Sequence, residues 1–232
     1  MKVSILIPVY NEVSTLEKVL EALSRVDTAG WGLHKEIIAV NDGSTDGTSG
    51  ILQRWKGRII VVEHSRTEGK GACIRDALKA ASGDIVLIQD ADLEYDPNDY
   101  AVLLRPVISQ GADVVYGSRF VGSGAHRVLY FWHYQGNRLI TLLCNLFGNL
   151  NLTDVETGYK VFRKKALDSI KLEEDDFGFE VEVTLKLAKK KYRFYEVGIS
   201  YYGRDYSEGK KICWTDGVRA LWLIVKYGLF KC

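Results

Sequence analysis

The sequence predicts an α/β fold, a mostly parallel sheet with helices on both faces. Two observations carry this. Over residues 1–117, short β-branched runs alternate with segments whose apolar residues recur at helical spacing. Each run is followed by a turn rich in Gly, Asp or Asn, as expected where strands of one sheet are joined by right-handed crossovers.

The elements follow in order. Residues 3–9 form a β-branched run and read as a buried strand. Leu16, Val19, Leu20 and Leu23 give an amphipathic helix. Strands are expected at 36–41, 59–62, 85–89 and 114–117. Helices are expected at 48–55, at 70–80 after a Gly-rich turn, and around Tyr100, Leu103, Leu104 and Val107. The second half differs in character. Residues 118–135 are rich in Gly and aromatics with little periodicity, and 137–152 are strongly apolar. A strand is expected over 155–162, helices over 164–170 and 177–190, and a strand over 193–201. An apolar tail over 212–230 carries Trp214, Val218, Leu221, Trp222, Val225 and Leu229. With no linker or repeat in sight, residues 1–232 read as one domain with halves 1–117 and 118–232.

Composition excludes several classes. Hydrophobic residues are 47% and charged residues 26% of the 232, which rules out a disordered or collagen-like chain. Lys plus Arg is 31 against 30 Asp plus Glu, so there is no basic excess of the kind a nucleic-acid partner requires. Cys73, Cys144, Cys213 and Cys232 form no CxxC pair and read as reduced thiols of a cytoplasmic protein. The first residues enter a strand pattern at once, unlike a signal peptide. No apolar run reaches the roughly eighteen residues of a spanning helix.

In open parallel sheets, ligands bind beyond the carboxyl ends of the strands. Asp90-Ala91-Asp92 stands at such an end. Two carboxylates two residues apart suit a hard divalent ion that also takes phosphate oxygens, and Glu94 offers a third oxygen. The alternative is a solvated acidic turn ahead of Pro97. Asn41-Asp42-Gly43-Ser44-Thr45-Asp46-Gly47-Thr48 clusters hydrogen-bond acceptors after the second strand. Turn formation and a helix cap explain part of it, and an Asp placed there can also accept from a base or ribose. Pro8-Val9-Tyr10-Asn11-Glu12 offers a ring and a carboxylate after the first strand. Gly69-Lys70-Gly71 opens a helix without P-loop spacing, yet a Lys beside a helix N-terminus can approach a phosphate.

These four segments, in their order along the chain from Pro8 to Asp92, resemble the family 2 inverting glycosyltransferases with the GT-A, Rossmann-like fold. Gly117-Ser118-Arg119-Phe120, Gly203-Arg204 and Ser207-Glu208-Gly209-Lys210 narrow the likeness to the dolichyl-phosphate mannose synthase branch and its polyprenyl-phosphate relatives. The resemblance implies that Pro8, Tyr10, Glu12, Asn41 and Asp42 hold the nucleoside, with Lys70, Gly71, Asp90 and Ala91 also in the donor site. Asn41 stands where the family usually has Asp. Asp90, Asp92 and Glu94 would carry Mg²⁺ or Mn²⁺, with Glu94 in place of the usual Gln. Arg119, Arg204 and Lys210 would contact the donor diphosphate or the acceptor phosphate, serving catalysis with Asp92. The donor would be a GDP- or UDP-sugar and the acceptor a polyprenyl phosphate, with the second half of the chain as an acceptor-side extension.

Two stretches depart from the pattern. Tyr134-Gln135-Gly136-Asn137-Arg138 replaces Ser-Arg-Gly-Ala-Asn, and Thr153-Asp154-Val155-Glu156-Thr157-Gly158-Tyr159-Lys160 replaces Asp-x-Thr-Ser/Gly-Gly-Phe-Arg. His133, Asn137, Arg138, Glu156 and Glu180 are therefore candidates on the acceptor side. A phosphate acceptor is already anionic and needs no strong base. A hydroxyl acceptor does need one, and Asp154, Glu156 and Glu180 are the candidates. Glu180 is equally explained as favourable charge at a helix N-terminus. His34, His64, His126 and His133 show no metal-ligand spacing. The apolar stretches 139–152 and 212–230 read either as core or as interfacial helices, with Trp214, Trp222 and Lys226 at headgroup level. The latter implies a peripheral protein on the cytoplasmic face of a membrane, with room for a membrane partner subunit. A nucleotidyltransferase is disfavoured, because residues 8–12 lack its Gly-rich, Arg-containing loop. A non-catalytic nucleotide-sugar binder is disfavoured by Asp90-Ala91-Asp92 and its basic partners.

Overall fold

The computed structural model describes residues 1–122, 127, 130–204 and 214–230, and of 214–216 the backbone alone. Seven strands form one sheet in the order β3-β2-β1-β4-β6-β5-β7. They are β1 Lys2–Val9, β2 His34–Asn41, β3 Ile60–Glu63, β4 Ile85–Ile88, β5 Val114–Ser118, β6 Lys160–Arg163 and β7 Phe194–Gly198. β1 lies between β2 and β4, parallel to both, with Ile5 level with Ile37 and Leu87. β3 extends the parallel set and β7 runs parallel to β5. β6 alone is antiparallel, inserted between β4 and β5. The mostly parallel sheet expected from the sequence is present, and β6 adds a reversed strand that nothing in the alternation announces.

Among the described residues, eight α-helices cover the sheet: α1 Leu16–Arg25, α2 Thr48–Trp55, α3 Lys70–Ala80, α4 Tyr100–Ser109, α5 Phe131–Gly148, α6 Lys164–Asp168, α7 Gly178–Lys189 and α8 Trp214–Val225, the last continuing into a π-helical turn Lys226–Phe230. Successive strand residues point to opposite faces. Val3, Ile5 and Ile7 thus meet Leu16, Leu20, Leu52 and Leu103 on one side. Leu6, Val86 and Ile88 meet Ile74, Ala77, Phe179 and Leu223 on the other. The helix periodicity of α1 is that of its buried residues, Leu16, Val19, Leu20 and Leu23.

The second half departs from the sequence reading in three places. The expected strand over 155–162 is a strand only from Lys160; of the segment before it, Val155 and Tyr159 pack into the core while Glu156 and Gly158 face the site. The apolar helix starts earlier, at Phe131, and ends at Gly148, where Asn149 takes a left-handed conformation with φ 50°. β7 ends at Gly198, and Tyr201 then leaves to bridge Tyr95. α7 is enclosed on every side from Gly178 to Ala188, as a helix packed against α3, α5, α6 and α8 must be. Its buried Glu182 and Lys186 pair with each other at 2.6 Å. Cys73 and Cys144 are buried free thiols, and burial pushes both above their ordinary range. No helix among the described residues is long and apolar enough to cross a membrane.

Candidate active site

A cavity of about 430 Å³ opens at the carboxyl ends of β1, β2 and β4. Of the residues singled out in the sequence, Pro8, Tyr10, Glu12, Asp42, Lys70, Asp90, Ala91, Asp92, Glu94, Arg119, Glu156, Glu180 and Arg204 line it. Asn41, Gly71, His133, Asn137 and Arg138 do not. Lys210 and His126, and the side chain of Trp214, lie outside the described residues.

The loop after β2 is mostly occupied in holding the loop after β1. Ser44 Oγ accepts from the Asn11 amide, Thr48 Oγ1 from Glu12 and Asp46 from Val13, while the Thr45 amide donates to Asn11 Oδ1. Gly43 has φ 67°, and a Cβ there would stand 2.7 Å from the Arg66 carbonyl carbon, so glycine is required. Asn41 is spent inside the loop, its amide donating to Ser49 Oγ and Glu63 at 2.8 and 2.6 Å. The acceptor that the resemblance put in the nucleoside site therefore faces the protein. Asp42 reaches the cavity, but its oxygens accept from the amides of Glu68 and Gly69 and meet His64 Nδ1 at 2.8 Å. His64 Nε2 meets Asp76 at 3.0 Å. Burial opposes charge on this imidazole, and the two carboxylates outweigh it, raising its pKa above 6.5. Cys73 Sγ joins Asp42 and His64 within 4.8 Å, a set of metal-ligand type whose contacts are hydrogen bonds here.

On the β4 side three acids converge on one guanidinium. Arg204 Nη2 lies 2.6 Å from Asp92, its Nη1 3.4 Å from Glu12, and its Nε 3.5 Å from Glu94. Glu94 also accepts from the Arg204 amide at 2.7 Å and from the Tyr201 hydroxyl at 3.0 Å, which fixes the segment after β7 over the cavity. Burial, and then the charges of Asp90 and Glu94, push Asp92 up to about 7.

Below this lies a second charged group. Lys70 Nζ, at the first position of α3, is 3.0 Å from both Asp90 and Glu180. Burial disfavours its charge, but the two carboxylates hold the ammonium strongly protonated. A Cβ on Gly158 would stand 2.1 Å from Asp90 Oδ2, so the segment before β6 closes on the Asp90 carboxylate. Glu156 is pushed up to about 7 by burial and by Glu180. Lys160 is 1% exposed, lies over the Tyr116 ring at 4.9 Å, and is pushed down to about 8 by burial. Glu156 Oε1 and Glu180 Oε2 are enclosed without a hydrogen-bond partner.

Arg119 borders the cavity already paired. Its Nε and Nη2 each donate to Asp154 at 2.7 Å, and the guanidinium stacks over Tyr201 at 5.2 Å. Asp154 is fully enclosed. Burial would raise its pKa, but Arg119 reverses that and holds it below its ordinary value. It also accepts from Asn137 at 3.1 Å. An ionised carboxylate locked in a bidentate pair is a poor general base, which leaves Glu156 and Glu180 of the three candidates. His133 packs beside the Tyr130 ring and Arg138 stacks on Tyr134, both on α5 and away from the cavity. Sequence reasoning missed Tyr95, Tyr201, Phe177 and Thr67 in the lining. Only their nearness in sequence to Glu94, Arg204, Glu180 and Gly69 hints at them.

Comparison with known proteins agrees with this architecture. The glycosyl transferase family 2 profile matches residues 4–171. Dolichol-phosphate mannosyltransferase of Pyrococcus furiosus is 30% identical over 98% of this chain, which spans 64% of that protein. UDP-N-acetylglucosamine–dolichyl-phosphate N-acetylglucosaminyltransferase of Methanococcus voltae is 26% identical over 88% of the chain and 86% of its own length. The chain thus spans just under two thirds of the length of the Pyrococcus relative. Among solved structures, glucosyl-3-phosphoglycerate synthase of Mycobacterium tuberculosis, in complex with Mn²⁺, UDP and phosphoglyceric acid, superposes with TM-score 0.76 at 20% identity, covering 98% of this chain and 78% of that one. From the profile match and the sheet order, the chain belongs to glycosyl transferase family 2 and has the GT-A fold.

Proposed function

We propose that this glycosyltransferase moves a hexose, with inversion, from a GDP- or UDP-sugar to a polyprenyl phosphate at the cytoplasmic face of a membrane. The observation that carries the reading is the cavity in which Asp90, Asp92 and Glu94 stand against Lys70 and Arg204. Departure of a nucleoside diphosphate builds negative charge on its oxygens, and cations at that point stabilise it. The relatives named for dolichyl phosphate support the acceptor class.

A divalent ion fits the residues present. The donors are hard carboxylate oxygens, and Asp92 is pushed up to about 7 partly because Asp90 and Glu94 crowd it, a repulsion that Mg²⁺ or Mn²⁺ relieves. Asp90 and Asp92 would hold the ion, with Glu94 beside them, and bound there it would neutralise charge on the departing diphosphate. Lys70 and Arg204 sit on these same carboxylates and are within side-chain reach of a diphosphate laid along them. Tyr10 is 37% exposed at the rim, available to a nucleobase.

The acceptor side is apolar. Trp132, Leu142 and Leu146 of α5 and Val218 and Trp222 of α8 are all more than half exposed, as are Leu229 and Phe230. Exposed apolar surface of this kind suits a bilayer or a membrane partner subunit. Lys226, expected at headgroup level, is instead held by Glu174. A second reading, transfer to a saccharide hydroxyl, is favoured by one observation: Glu156, pushed up to about 7, lies on the cavity wall with an unpartnered oxygen, as a general base would.

The test is nucleotide release from a panel of GDP- and UDP-sugars with Mn²⁺, with and without a short polyprenyl phosphate. Release that needs the lipid and stops on chelation is expected. Metal-dependent release indifferent to the lipid selects the hydroxyl reading, and no release from any donor refutes both.

A further inference from the structure

Glu174 belongs to no part of the site above, yet it is 6% exposed and carries three partners from the C-terminal segment. Its side chain accepts from Lys226 at 2.6 Å, from the Tyr227 hydroxyl at 2.6 Å and from Arg219 at 3.1 Å. Its own amide, and that of Glu173, donate to the buried Glu182 at 2.9 and 2.7 Å. The backbone of residues 174–175 grips the first turn of α3. Asp175 O accepts from the Ala72 amide at 3.0 Å, and Glu174 O accepts from Arg75 at 2.6 Å. The fit leaves no room for a side chain: a Cβ on Gly69 would meet Asp175 O at 2.4 Å, and one on Gly71 would meet Glu174 O at 2.2 Å. That explains both glycines of Gly69-Lys70-Gly71 by packing against 174–175.

The first turn of α3 is the part of the helix that meets the donor. It presents Lys70 to Asp90, and the Gly69 amide donates to Asp42. Segment 174–175 is thus bolted on one side to the helix turn that carries Lys70. On the other side it is bolted to α8 and the π-helical turn, whose outer residues Trp222 and Leu229 are exposed. Three ionic or hydrogen-bonding groups meet on one buried carboxylate, so breaking that junction frees both sides together.

We propose that Glu174 is a positioning residue for donor binding: seated α8 holds segment 174–175, which holds Lys70 and the first turn of α3 in the geometry that takes a nucleoside diphosphate. This rests on the reading of the cavity as the donor site. Glu174 touches no substrate and acts through α3.

The experiment measures the Kd of UDP and GDP, with Mn²⁺, by calorimetry on wild type, Glu174→Gln, Arg219→Gln and Arg219→Lys, with the melting temperature of each taken without nucleotide. Expected is a Kd about tenfold weaker in Glu174→Gln, within the range of a coupling between sites. Arg219→Gln should weaken it about fivefold, and Arg219→Lys should restore it to within about twofold. A merely structural role lowers the melting temperature and leaves the Kd of the folded protein unchanged, and that outcome overturns the proposal. If Glu174→Gln does not fold, the Arg219 pair decides, because it leaves Glu174 in place. Wild type that binds neither nucleotide overturns the donor-site reading and this proposal with it.

Discussion

Removing the Asp154 carboxylate separates a structural role for Arg119 from a diphosphate-binding one. Asp154→Ala deletes an acceptor that takes Arg119 Nε and Nη2 at 2.7 Å each, the Arg119 amide at 3.1 Å and Asn137 at 3.1 Å. The Arg119 side chain, 14% exposed, is then left charged with no counter-ion in the pair it was built for. Breaking a buried pair from one side costs about 3–5 kcal/mol. At roughly 2 °C per kcal/mol for a chain of this length, the melting temperature should fall about 6–10 °C. Replacing both partners by apolar residues of similar volume, Arg119→Met with Asp154→Leu, should recover most of that loss, since the stranded charge is gone. Urea denaturation of Arg119→Met, Asp154→Leu and the double closes the cycle, with a coupling of at least about 2 kcal/mol expected. A loss under about 1 kcal/mol for Asp154→Ala, or additivity within about 0.5 kcal/mol, would refute the reasoning and return Arg119 to the diphosphate alone.

Two other predictions use residues outside that pair. His64, 6% exposed between Asp42 and Asp76, has its pKa raised above 6.5 in the folded state. Its contribution to stability is therefore complete below pH 6.5 and disappears as pH rises through the higher folded value; urea midpoints across that window should fall in wild type and not in His64→Gln, and equal slopes would contradict the pairing. Leu146→Glu and Trp222→Glu alter side chains 71% and 61% exposed, so each should change stability by no more than about 0.5 kcal/mol while abolishing flotation with anionic liposomes. Wild type left wholly unfloated would remove the bilayer as the occupant of that face.

The donor half was legible because its signals are local. The β1, β2 and β4 runs carry their own period, and Asp90, Asp92 and Glu94 reach the cavity through strand-end geometry that the α/β rule supplies. The second half was less so, because its structure is set by pairings distant in sequence. β6 is short and antiparallel, and its place between β4 and β5 depends on Phe162 and Lys160 facing strands more than forty residues away. Asn41 shows the limit at the level of one side chain: its type and position suit a ligand, yet Glu63 and Ser49, brought near by β3 and α2, take its amide. Glu180 was ambiguous between a helix N-terminal charge and a site residue. It is both, since α7 starts beneath the cavity and Lys70 comes from α3. Arg119 reads from the sequence as a phosphate-contacting cation and Asp154 as a candidate base, and the structure pairs them with each other, because sequence shows charges without showing which are already paired.

Charge balance within the cavity explains why its acids and cations are interleaved. Among the described residues, Glu12, Asp42, Asp90, Asp92, Glu94, Glu156 and Glu180 face Lys70, Arg119 and Arg204, seven carboxylates to three cations. Arg119 is further cancelled by Asp154 outside the lining. A nucleoside diphosphate brought alone into this field meets net repulsion, which screening by salt relieves least where the groups are buried. Part of the excess is already shed by protonation, since Asp92 and Glu156 are pushed up to about 7. The remainder sits around Asp90 and Asp92, where Lys70 and Arg204 serve as the resident counter-charges. A divalent cation at those carboxylates supplies more positive charge than either side chain withdraws by turning to the phosphates. Under the proposed reading, the acidic excess among the described residues is the feature that a divalent cation would offset when the anionic donor binds.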